Sequence, residues 1–161
     1  MSNELTTTNG KQPSALEIRM DSKTYPRLCR YSKDDANRAM VKIVSQAFLY
    51  RGQTADPSVI SFTASSLVEE LMQEEKWGAK YLSMEEIARI VKKAVLEGDI
   101  FICTASLYKA IIEYCKGEGT RIQQEADALK RKQDEESLRN SVVAPMLQAY
   151  TGAFIKEHKV K

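Results

Sequence analysis

Three cysteines, one histidine and a few paired carboxylates are all that this chain offers for chemistry, and their spacing works against each use. Cys29, Cys103 and Cys115 lie far apart with no Cys-x-x-Cys among them, so they lack the spacing of a zinc site. Their odd number argues against a disulfide framework, and reduced thiols in a cytoplasmic protein are the expectation. His158 is the single histidine and stands near the end of the sequence, where a general base or metal ligand is poorly held. Gly117-Glu118-Gly119 follows a helical pattern instead of opening one, so it does not read as a phosphate loop. Glu69-Glu70 and Glu85-Glu86 are explained by helix capping and dipole compensation. The residues predict no catalytic site, no metal and no cofactor, so no enzyme.

The elements that would position any site are helical. Ser83-Met84-Glu85-Glu86-Ile87 writes out a helix start: Ser83 caps, Glu86 bonds back, and Leu82 with Ile87 form a hydrophobic staple. That helix runs to Gly98 and buries Ile87, Ile90, Val91, Ala94 and Val95. Before it, Ser32 and Asp35 start a helix whose apolar face is Ala36, Met40, Ile43, Val44, Ala47 and Phe48. Asp56-Pro57 starts another, with Ile60, Ala64, Leu67, Val68 and Leu71 on one face. Thr104 is expected to cap a shorter helix through Leu107, Ile111 and Tyr114, closed by Gly117 and Gly119. Cys103 and Cys115 flank it and are expected to point inward. Asp99–Cys103 reads as an extended crossover with Ile100 or Phe101 in the core.

The expected class is all-α. A flexible segment covers 1–31, with at most a helical turn at Leu16–Met20. A compact four-helix domain covers 32–119, and a charged helical arm covers 120–161. In that arm Ile122, Ala126 and Leu129 form a thin seam, Pro145 breaks the pattern, and Met146, Leu147, Tyr150, Phe154 and Ile155 make a last amphipathic helix.

Of the residues, 43% are hydrophobic and 29% charged, so a folded core is expected. A mean hydropathy of −0.41 and the lack of a long apolar run exclude a membrane-spanning chain. Net charge is only +2, too balanced to diagnose nucleic-acid binding. Basic residues do gather at Arg27, Arg30, Arg38 and Lys42. The two helices around Gly98 also invite a helix-turn-helix reading, with Thr104, Ser106 and Lys109 at the front of the second. The connection from Gly98 to Cys103 is longer than that motif uses, which favours plain bundle packing.

The order of these elements carries a resemblance over residues 35–116. An Ile43-Val44-x-x-Ala47-Phe48 helix leads to Asp56-Pro57, then Trp77-Gly78, Tyr81-Leu82-Ser83-Met84-Glu85-Glu86-Ile87, and Ser106-Leu107-Tyr108-Lys109-Ala110-Ile111 up to Tyr114. This resembles small helical proteins of phages and mobile elements, especially of Bacteroidetes. It is more distantly similar to the helical domain of lambda-type phage replication proteins, which load the replicative helicase. The resemblance implies a non-enzymatic replication adaptor whose partner is a protein, the replicative helicase foremost. Met146, Leu147, Tyr150, Phe154 and Ile155 would then dock it as a helix in a groove. The alternatives are a DNA-binding regulator using Arg27, Arg30, Arg38, Lys42 and Lys109, or a homo-oligomer formed through the arm.

Overall fold

Ser14, Ser32, Asp56 and Ser83 each begin a helix by the same device: a side-chain oxygen accepts a backbone amide two or three residues on. In the computed structural model, which describes residues 10–157 and side chains from 10 to 149, they start α1 (Ala15–Met20), α2 (Lys33–Tyr50), α3 (Pro57–Gln73) and α4 (Met84–Glu97). Next come α5 (Thr104–Tyr114), a π-helical turn (Cys115–Gly119) and α6 (Thr120–Glu157). Short 3-10 turns at Leu28–Arg30 and Ala79–Tyr81 punctuate the loops. The class is all-α; among the described residues the only ladder pairing is an isolated bridge between Arg27 and Ser83.

The buried residues fall at the spacing of single helical faces: Ala36, Met40, Val44 and Ala47 on α2, then Ala64, Leu67, Val68 and Leu71 on α3. Ile87, Ile90, Val91 and Val95 follow on α4, and Leu107, Ile111 and Ile112 on α5. Four stripes close a ring, α2 against α3, α3 against α5, α5 against α4, and α4 against α2. Each fully buried Leu or Ile in that ring contributes about 1.5–3 kcal/mol relative to exposure. Gly78 supplies the left-handed turn (φ 72°) before Ala79–Tyr81, a conformation that a side chain would strain. Arg51, just past α2, donates to the carbonyls of Gly98 at 2.6 Å and Ile100 at 3.1 Å, fixing the crossover from α4 to α5.

Several expectations are corrected. From Ser14 onward, the segment read as flexible over 1–31 is packed on the body. Ile18 and Leu28 are fully buried, and the Leu28 amide bonds the Leu82 carbonyl at 2.7 Å. Residues 1–9 of it lie outside the described residues. In the crossover Ile100 packs against the core as expected, partly buried, and Ile102 is buried with it, whereas Phe101 is 81% exposed. Thr104 is the first residue of α5, and Cys103 occupies the cap position. Gly117 and Gly119 do not end a helix. Gly119 leaves room for the π turn, since a Cβ there would stand 3.1 Å from the Tyr114 ring, and the chain runs on into α6, with the Thr120 hydroxyl donating to the Cys115 carbonyl at 2.6 Å. Pro145 does not break α6 either: it removes one amide, and the helix continues through it.

The chain divides into two units, Met1–Gln123 and Gln124–Lys161. The first holds the helical ring with α1. The second is the remainder of α6, whose residues 127–149 are all exposed.

Candidate functional site

The densest polar construction in the first unit surrounds Glu86. Its Oε2 accepts the Ser83 amide at 3.0 Å, completing the capping box. Its Oε1 accepts two bonds from Arg19, from Nη2 at 2.6 Å and Nε at 2.9 Å, and Arg19 Nη1 reaches Gln123 Oε1 at 2.6 Å. Both charged side chains are buried, 6% and 2% exposed. Arg19 escaped the sequence reading, although the Ser14-Ala15-Leu16-Glu17 capping box that builds α1 repeats the Ser83–Glu86 pattern.

Beside this network α4 and α5 form a groove of about 590 Å³. Ile90, Ala94 and Ala110 line it with Arg89, Lys93 and Glu113. Tyr114 also lines it; burial, and next the Glu86 charge, push its hydroxyl up to about 12 against the effect of Arg19. Such a phenol stays neutral, and no nucleophile stands beside a base here. The arrangement joins α1 to the start of α4.

The thiols separate by environment. Cys115 is buried, and burial, then Glu74, push its thiol up to about 11, with Arg19 acting in the opposite sense. Cys103, expected to point mainly inward, is half-buried; its Sγ lies 3.3 Å from Ser106 Oγ. That contact, then the Ser106 amide, lower its thiol below the ordinary value. Cys29 is exposed. Among the described residues no cluster of His, Cys, Asp and Glu has the grouping of a metal site. No helix there is long and apolar enough to cross a membrane.

The basic residues singled out for nucleic acid meet only in part. Arg30, Arg38 and Lys42 line one open groove between the start of α2 and α4, but Asp35 and Glu85 share it. Arg27 lines a neighbouring cleft with Arg30, and Lys109 lines neither. Ser106 contacts Cys103, and Lys116 sits over the Trp77 ring at 5.1 Å, so the front and end of α5 are engaged in the fold.

On α6, Met146 and Leu147 are 69% and 60% exposed. Tyr150, Phe154 and Ile155 belong to the same helix, but their side chains, like all of His158, lie outside the described residues. The structure adds Leu138, Val142 and Val143, all exposed, to the apolar surface upstream. These were hidden by reading Pro145 as a break; the i, i+4 spacing of Leu138, Val142 and Met146 is the signal that finds them. No family model matches the chain, and no curated protein or solved structure is significantly similar to it.

Proposed function

We propose that this protein is a non-enzymatic replication adaptor of a phage or mobile element, and that the C-terminal part of α6 recruits the replicative helicase. The observation that supports the adaptor role is the apolar surface of Leu138, Val142, Val143, Met146 and Leu147, between 49% and 69% exposed. Large apolar side chains three and four residues apart on a helix are the anchors of helix-in-groove recognition. Water contact on them is unfavourable, and a partner's groove relieves it. The choice of helicase rests on the resemblance of residues 35–116 to helicase-loading proteins.

Light scattering on the protein mixed with its host's replicative helicase tests the reading. Co-elution that is lost in Met146→Glu/Leu147→Glu, with the far-ultraviolet helix signal retained, is the expected result. Absence of co-elution at micromolar concentration overturns the helicase assignment.

A second reading, a DNA-binding regulator, draws on the meeting of Arg30, Arg38 and Lys42 in one groove. It requires affinity for duplex DNA that falls steeply with salt. Asp35 and Glu85 in the same groove oppose phosphate, which places this reading second.

A further inference from the structure

The charges on α6 follow an inverted order about Gln133. Lys130, Arg131 and Lys132 precede it, and Asp134, Glu135 and Glu136 follow it. Farther out, Asp127 is mirrored by Arg139, and the positions between are uncharged on both sides. Reversing the direction of this stretch therefore exchanges every positive charge for a negative one.

The two blocks do not neutralise each other within the helix. Lys130–Asp134, Arg131–Glu135 and Lys132–Glu136 are i, i+4 neighbours, but with the basic residue first, the weaker of the two orientations. Among the described residues no ion pair joins the blocks; the pairs present involve other side chains. Residues 127–149 are exposed all round, and a helix with no buried stripe needs a partner or many internal pairs to persist.

A seam with the three-four spacing of a coiled coil runs through the same stretch: Ala128, Arg131, Glu135, Leu138 and Val142. Arg131, Glu135, Leu138 and Val142 line one shallow surface patch, so they share a face. Antiparallel helices place an a position against a d position. The pairing that does so here, Arg131 with Glu135 and Ala128 with Leu138, is centred on Gln133, the same point about which the charges invert.

We infer that α6 pairs with α6 of a second copy of this chain, antiparallel, about a two-fold axis at Gln133. The basic turn of each copy lies along the acidic turn of the other. Arg131 meets Glu135 of the second copy at the centre, and Leu138 packs over Ala128 of the second copy on either side. A parallel pair would set like blocks together. This pairing shares Leu138 and Val142 with the surface proposed for the helicase, while Met146 and Leu147 lie beyond the seam.

The test is light scattering on the full-length protein alone, across protein and salt concentration. The expected result is a mass twice the 18.2 kDa of the chain at low salt. It should fall toward monomer as salt rises from about 0.1 M to about 1 M and screening shortens from about 10 Å to about 3 Å. K130E/R131E/K132E and D134K/E135K/E136K should each be monomeric with helix content retained, and their equimolar mixture should regain the dimer mass. A wild-type monomer at high micromolar concentration, dimers indifferent to either block reversal, or a dimer strengthened by salt would each overturn the inference.

Discussion

Arg19 and Glu86 form a buried ion pair in which one carboxylate oxygen takes two guanidinium bonds while the other still caps α4. The pair joins α1 to the start of α4 across a long stretch of sequence. Arg19→Met leaves the Glu86 charge buried with only its bonds from Ser83, and should cost about 3–5 kcal/mol. Glu86→Gln keeps a capping acceptor but strands the guanidinium, with a loss of the same order. The double variant should lose less than the sum of the two, because neither partner is left charged and alone. Chemical denaturation midpoints of the four proteins decide this; strict additivity would show that the two side chains do not act together.

Glu74, one residue beyond α3, accepts the amides of Trp77 at 2.6 Å and Ala79 at 3.1 Å. Burial works to raise its pKa, but these bonds, with the amides of Lys76 and Gly78, hold it below the ordinary 4.5. A carboxylate held low in the folded state contributes stability that is complete above its unfolded value and fades as pH drops through the folded one. Wild-type stability should therefore decline below about pH 4.5. Glu74→Ala should flatten that decline and cost about 1–3 kcal/mol at neutral pH through the stranded amides. Denaturation curves at pH 3 to 7 measure both effects.

The three thiols should label in a fixed order. Cys29, exposed, and Cys103, whose thiol is lowered by Ser106, should react with a thiol reagent in the native protein at pH 8. Cys115, buried and pushed up to about 11, should react only on unfolding. Mass spectrometry of labelled peptides with and without denaturant reads this directly, and native labelling of Cys115 at the rate of Cys29 would contradict its placement.

Glycine-to-alanine changes should have opposite signs at sites that look equivalent in sequence. A Cβ at Gly117 meets nothing within 4 Å, so Gly117→Ala should stabilise by up to about 1 kcal/mol. At Gly98 the added atom would stand 2.6 Å from the Ala94 carbonyl oxygen, and at Gly119 it would stand 3.1 Å from the Tyr114 ring. Both of those variants should melt lower than wild type in a thermal scan.

Local signals account for what was legible in advance. The caps at Ser32, Asp56 and Ser83, the staple of Leu82 and Ile87, and the apolar faces of α2, α3 and α4 each depend on neighbours within a turn or two. Burial of Arg19 depends on Glu86, far along the chain, and no local pattern announces such a partner. The glycines at 117 and 119 and Pro145 were legible as breakers, and their usual effect was overridden by a continuous helix. Of the partner-binding set, Met146 and Leu147 stood out by type and spacing. Leu138, Val142 and Val143 did not, because a boundary drawn at Pro145 separated them from the same helix.

The π turn at Cys115–Gly119 sets the phase between α5 and the beginning of α6. A π turn holds one residue more than an α turn, so a single loss there can be absorbed by tightening to α geometry, whereas each further residue lost would turn the first part of α6 by about 100°. Gln123 would then leave Arg19, and Ile122, now buried, would swing from its place. The turn thus works as an indexing step in the chain: it tolerates an exchange of side chain at Gly117, or the loss of its one extra residue, far better than any larger change in length.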